Sequence, residues 1–425
     1  MAFAKEEEME DLAMKEKGAK TEKKILAALR DHERLGDRAA MAEECYRIGS
    51  FYQEQGRLEQ ANLMHRRALV LHVALKNLPR AAASYTRLGL LYEMQGDLGQ
   101  ARFFLEEGLA IYREIDDPQG LACSFGYTGL IHQLEGDLAT AEWMFRKALH
   151  LNEQLQEHAS QAEDYGNLGN LYLIRGEFDM AEKMYSKALK LYEKTGDKKG
   201  MGSQYNSKGD LCLRTGELEK GKDFFKRGLA LHREIGWVLG MGLQYSGLGR
   251  FYKQLGHFGK AEEMFRKALA SFKEAGHKNN VASAHSNLGN LLVLLKDYEG
   301  AQGQIEKALE LCENMGHDRG VAGASKVLGD IYLQLAPGRL DEIEALYQRA
   351  CRIYEDLEDE KALGDVYVGL GNLAVRKEQN NQAIAMWTIA VDKFKKLGND
   401  EQARQIEKAV RRVWAGTGIR WHEAV

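Results

Sequence analysis

Proline is almost missing from this sequence, with 3 residues in 425. Its ring removes a backbone donor and breaks helix interiors, so such scarcity leaves room for long uninterrupted helices. Cysteine is scarce and scattered. Cys45, Cys123, Cys212, Cys312 and Cys351 form no CxxC pair and no regular partner spacing, which argues against a disulfide framework and against a zinc site. They read as reduced packing residues. No sign of charge dominates, because 59 Lys plus Arg stand against 63 Asp plus Glu for a net −4. A field so balanced attracts neither nucleic acid nor an anionic membrane. No apolar run approaches the roughly 20 residues that span a bilayer. The opening MAFAKEEEMEDLAMKEKG is acidic and lacks the basic flank and apolar core of a signal peptide. A soluble cytoplasmic protein without membrane insertion is the expectation.

Signatures of catalysis are missing too. There is no GxxxxGK[ST] phosphate loop and no HExxH or comparable zinc spacing among the 12 histidines. His65, His132 and His285 stand at positions that elsewhere hold Tyr, Ser or Phe, and read as packing residues. No converging nucleophile, base and stabiliser is visible. The sequence therefore predicts no enzyme, no catalytic residue, no metal site and no cofactor.

What is present is a repeat. Ala, Leu, Glu, Lys, Met and Gln dominate, the residues that lose least freedom in a helix. Gly49, Gly89, Gly129, Gly169, Gly209, Gly249, Gly289 and Gly329 recur every 40 positions, and Gly371 follows after 42. Four residues before the mark stands mostly an aromatic (Tyr85, Phe125, Tyr165, Tyr205, Tyr245, Tyr367), and three after it often a Tyr (Tyr52, Tyr92, Tyr172, Tyr252, Tyr332). Those offsets share one helical face. A second glycine follows seven after the mark at Gly56, Gly96, Gly136, Gly176, Gly216 and Gly256, where it suits the left-handed end of a helix. Twelve after the mark a small residue (Ala61, Ala101, Ala141, Ala181, Gly221, Ala261, Ala301, Ala383) lets a second helix approach closely. That helix carries Phe145, Tyr185, Phe225 and Phe265 inward, and then Ala–Leu pairs such as Ala148–Leu149.

Gly, aromatic, Ala and Phe at these offsets resemble the tetratricopeptide (TPR) consensus over roughly residues 39–414. The 40-residue period is similar to that of LGN/Pins-type polarity adaptors and of bacterial TPR scaffolds. The resemblance implies an all-α fold, a right-handed superhelical solenoid of antiparallel helix pairs. In that reading residues 1–38 are an acidic N-terminal segment ending in a degenerate half-repeat, marked by Ala28 and Leu29. Residues 39–399 hold nine hairpins, 400–415 a capping helix, and 416–425 a tail with Trp421. The seventh unit has Lys296 for its turn glycine, and the eighth an insertion at Pro337 and Gly338.

The resemblance also places the binding site in a concave groove lined by the first helix of each unit. Its groove positions lie two before and one, four and five after the marker. They carry over to Arg47, Arg87, Asn167, Asn170, Asp210, Arg214, Arg250, Lys253, Gln254, Asn287, Asn290, Asp330, Gln334, Asn372 and Arg376. Side-chain amides can hold an extended main chain, and Arg can take a carboxylate through two bonds. The basic clamp of chaperone-tail binders is absent: three before the marker stand Tyr46, Thr86, Gly126, Gly166, Asn206, Ser246 and Ser286, and only Lys326 is basic. The expected function is a non-enzymatic adaptor or scaffold that binds a partner protein, peptide or helix and no nucleic acid. The alternatives are a peptide-responsive regulatory receptor, or a structural protein that self-assembles into a homo-oligomer through its solenoid ends.

Overall fold

The computed structural model describes residues 21–417 except Gly56 and Pro337. The expectations for residues 1–20, the Gly56 turn, Pro337 and the tail with Trp421 lie outside the described residues. Among these, twenty helices and no strand are found. The first, α1, spans residues 21–35. Five antiparallel pairs follow: α2 (Arg38–Glu54) with α3 (Leu58–Ala74), α4 (Leu78–Gln95) with α5 (Leu98–Glu114), α6 (Pro118–Glu135) with α7 (Leu138–Leu155), α8 (His158–Arg175) with α9 (Phe178–Thr195), and α10 (Lys198–Thr215) with α11 (Leu218–Glu234). Then come α12 (Val238–Gln254), α13 (Phe258–Glu274), α14 (Lys278–Leu294) and α15 (Tyr298–Met315). Finally α16 (Asp318–Leu335) pairs with α17 (Leu340–Asp356), α18 (Glu360–Arg376) with α19 (Asn380–Lys396), and α20 (Asp400–Thr417) packs on α19. Two compact units result, one from Met1–Phe251 with Ala270–Lys278, the other from Tyr252–Leu269 with Asn279–Val425.

The marker glycines mark where two helices touch. A Cβ on Gly169 would stand 2.5 Å from the ring of Tyr185, and one on Gly209 would stand 2.6 Å from that of Phe225. The aromatic sixteen residues on occupies the space the glycine leaves, so the two motif positions are one contact read twice. Phe145, Tyr185, Phe225 and Phe265 are fully buried, as are Ala61, Ala101, Ala141, Ala181, Ala261, Ala301 and Ala383. Successive repeats are also clasped by polar contacts. The Tyr52 hydroxyl donates to Glu22 at 3.1 Å, and Tyr172 donates to Glu142 at 3.2 Å. The Tyr332 hydroxyl reaches Glu306 at 3.3 Å. Each reaches back to the second helix of the preceding repeat, which accounts for the tyrosine three after the marker.

The turns within hairpins use left-handed backbone at Gly96, Gly136, Gly176, Gly216 and Gly256, and Lys296 adopts it too, with φ +61°. A second left-handed position, twenty-seven after the marker, links one repeat to the next at Gly196, Gly236, Gly276 and Gly316. In three early repeats Lys76, Asp116 and Gln156 hold it without glycine, which hid the period of this turn in the sequence. Helix starts are capped by Asp37, Asn77, Asp97, Asp117, Asp137, Asp197, Asp297 and Asp359, each accepting a backbone N–H of the first turn.

Candidate functional site

In the first unit the first helices touch one another directly, α2 with α4, α4 with α6, α6 with α8 and α8 with α10, and among the described residues of α3, α5, α7, α9 and α11 no successive second helices pack to that extent. Helices that meet while their partners splay form the inner side of a curved stack. In the second unit α16 and α18 meet in the same way. The groove positions lie on first helices: Arg47 on α2, Arg87 on α4, Asn167 and Asn170 on α8, Asp210 and Arg214 on α10, Arg250, Lys253 and Gln254 on α12, Asn287 and Asn290 on α14, Asp330 and Gln334 on α16, and Asn372 and Arg376 on α18.

Several of these side chains are held by the fold. Arg47 pairs with Glu44 at 2.7 Å, and Arg87 donates to the Tyr46 hydroxyl at 3.1 Å. Asn170 accepts from Tyr185 at 2.8 Å and from Ser207 at 3.2 Å. Arg250 and Asp210 pair with each other at 2.6 Å. Asp330 takes Lys326 and the Tyr347 hydroxyl, both at 2.7 Å. Asn167, Asn287 and Asn372 remain partly or fully open.

The inner face extends beyond these positions. Cys123 and Glu163 are exposed to water, yet burial pushes the Cys123 thiol up to about 11 and raises Glu163, with Asp197 adding to the latter. Solvent reaches these side chains while protein surrounds them, as on the floor of a groove. Beside them Tyr127 is raised by burial and Asp164 reaches about 7 despite the 2.7 Å hydrogen bond from Asn152, and on α4 burial pushes Glu93 up to about 7. Cys123, Glu163 and Asp365 stand six before their markers, one turn before the sites two before them. The spacing of four on an already identified face was the signal that could have found them. The other four cysteines are buried.

In the second unit an open depression of about 280 Å³ lies against α16 and α18, walled by Lys326, Asp330, Gln334, Asp365, Asn372 and Arg376. All four sequence-derived α16 and α18 residues (Asp330, Gln334, Asn372, Arg376) therefore line one depression. Unexpected is an apolar series on second helices of the first unit: Leu63, Phe103 and Trp143 stand 40 residues apart, 63%, 52% and 49% exposed. Trp143 meets Phe125 edge-on at 5.8 Å and lies under Lys147 at 5.5 Å. His65 and His285 are buried as packing residues, while His132 is half-buried. Among the described residues no three His, Cys, Asp or Glu are grouped to hold a metal, and no helix is long and apolar enough to cross a membrane.

Solved structures with the same fold include a Rap protein complexed with Competence and Sporulation Factor, at TM-score 0.54 and 15% identity over 80% of this chain and 98% of that one. A second is a signal transduction ATPase with a tetratricopeptide repeat sensor from Pyrococcus horikoshii, at TM-score 0.53 and 18% identity over 81% of this chain and 55% of that one. BtubC from P. vanneervenii is 26% identical over 53% of this chain and 92% of its own, at TM-score 0.43. Comparison with curated proteins gives no match. One tetratricopeptide repeat model matches residues 37–114, 120–194 and 280–356, and another matches 245–273. The first alone accounts for more than half of the sequence, and the chain belongs to the tetratricopeptide repeat family.

Proposed function

We propose that this chain is a non-catalytic interaction module whose first-helix face binds an extended or helical segment of a partner protein. The tetratricopeptide repeats support the coarser reading of an adaptor or a peptide-binding receptor. The observation that carries the finer one is the inner face of the first unit, where Cys123 and Glu163 are exposed while surrounding protein raises the pKa of each, beside the half-buried amide of Asn167. A partner main chain laid there would meet donors and acceptors already partly stripped of water, which lowers the cost of binding. The Rap neighbour, whose structure holds Competence and Sporulation Factor, supports peptide binding as a use of this fold.

A second reading, contact through the outer face, is favoured by the Leu63, Phe103 and Trp143 series. A photo-crosslinking amino acid placed at Asn167, or in a separate variant at Trp143, separates the two in native lysate. The groove reading expects a partner covalently captured from position 167 and not from 143. Capture only from 143 would move the site to the second helices.

A further inference from the structure

We propose that the depression between α16 and α18 receives a carboxylate carried by a peptide, with Arg376 as the receiving group. This rests on the peptide-binding reading above and sharpens it for the second unit.

The charges that wall the depression are not equally available. Lys326 is committed to Asp330 at 2.7 Å, and the other oxygen of Asp330 accepts from Tyr347 at 2.7 Å. Asp365 accepts from the Gln402 amide at 3.0 Å, and burial raises its pKa. Both carboxylates thus have partners from the chain itself. Arg376 is exposed and makes no ion pair with another described residue. It stands four after Asn372, so the guanidinium and the amide share one face of α18, and Gln334 supplies a second amide from α16.

A planar fork of N–H groups takes both oxygens of a carboxylate, and amides on either side can pair with peptide N–H and C=O groups. Leu333 and Val368 give the floor an apolar part for the ligand's methylenes. The same charges speak against other ligands. A cationic side chain would face Arg376 and compete with Lys326 for Asp330. A phosphate, with its charge of roughly −1.5 to −2, would be repelled more strongly than a monoanion by Asp330 and Asp365.

The full chain is applied to an array of decapeptides tethered by their N-termini, each printed with Glu, Gln or phosphoserine at its centre and with a free or amidated C-terminus. The expected result is that a subset is retained about tenfold better with a carboxylate than with its neutral counterpart. Preference for central Glu identifies an acidic side chain as the ligand, and preference for the free terminus identifies the chain end. Arg376→Gln should abolish the preference with helicity unchanged by circular dichroism, and Arg227→Gln, at an exposed position on α11 outside the groove, should leave it intact. Equal retention of Glu and Gln members together with equal retention of free and amidated ones, a preference surviving Arg376→Gln, or stronger retention of phosphoserine overturns the proposal. Charge-blind retention that Asn372→Ala weakens would sink the carboxylate while leaving the peptide groove standing. No retention of any member by the wild-type chain sinks both.

Discussion

Arg250 stands one repeat beyond Asp210, and its Nη2 lies 2.6 Å from the Asp210 carboxylate. Two side chains that the consensus offers to a partner neutralise each other across neighbouring first helices. A part-exposed pair of this kind contributes about 0.2–1 kcal/mol. A double-mutant cycle with Asp210→Asn and Arg250→Gln, followed by urea unfolding, should give a coupling in that range which shrinks at 1 M salt. A coupling above about 2 kcal/mol would mean that the pair is far better shielded than its exposure implies.

The marker glycines predict opposite outcomes for one chemical change. At Gly169 a new methyl would meet the Tyr185 ring at 2.5 Å, and that ring is fully buried and tied to Asn170 through its hydroxyl. Gly169→Ala should destabilise the first unit by about 1–3 kcal/mol through overpacking. Gly303 lies within α15 with nothing within 4 Å of the added atom. There the same change should stabilise by about 0.5–1 kcal/mol by removing unfolded-state freedom. Thermal midpoints from circular dichroism moving in the same direction for both variants would contradict this account.

The contrast shows what was legible in the residues. Gly169 and Tyr185 could be read as motif positions because close packing leaves a periodic trace in residue size. Gly303 breaks no rule of sequence and has no packing role, and only geometry separates the two. The site was legible in outline. The consensus offsets put Asn372 and Arg376 on the face of α18 that lines the depression but could not show that Asp210 is consumed by Arg250, because pairing over 40 residues depends on how neighbouring helices are spaced. The sites six before the marker escaped notice because the thiol of Cys123 and the carboxylates of Glu163 and Asp365 alternate there with Ala83, Ser203, Leu243, Ser283 and Gly323, so no residue type recurs with the period. Leu63, Phe103 and Trp143 do share one, but exposure is invisible to a pattern of apolar residues.

Cys123 offers a check on the groove itself. It is exposed, unlike the other four cysteines, and an open thiol would ordinarily react with alkylating reagents through its thiolate. With its pKa pushed up to about 11 by burial, only about one thiol in a thousand is ionised at pH 8. Iodoacetamide should label Cys123 of the native chain far more slowly than a free thiol, with a rate that keeps rising tenfold per pH unit up to about pH 10. Labelling that levels off near pH 8.5 would show that the inner face is no more enclosed than open water.

Acid should loosen the first unit through its buried imidazoles. His65 fills the place beneath Gly49 that Phe145 and Phe225 fill beneath their own markers, and neither of its ring nitrogens has a hydrogen-bond partner. Burial, helped by the charge of Arg87, lowers its pKa to about 4 from 6.5. His72 and His232, also buried, are lowered for the same first reason. The folded pKa lies below the unfolded one, so the unfolded chain takes up the proton first. The stability His65 allows is complete above pH 6.5 and is lost as pH falls towards 4, by up to about 3 kcal/mol. Glu93 and Asp164, raised to about 7, act in the opposite sense, since the folded state gains protons before the unfolded one. The net pH profile therefore isolates nothing, and the informative quantity is a difference. His65→Phe should match the wild-type chain near pH 7.5 and exceed it in thermal midpoint at pH 5. Parallel losses in the two proteins would mean that His65 is hydrated or paired as it titrates, and that the acid response comes from elsewhere.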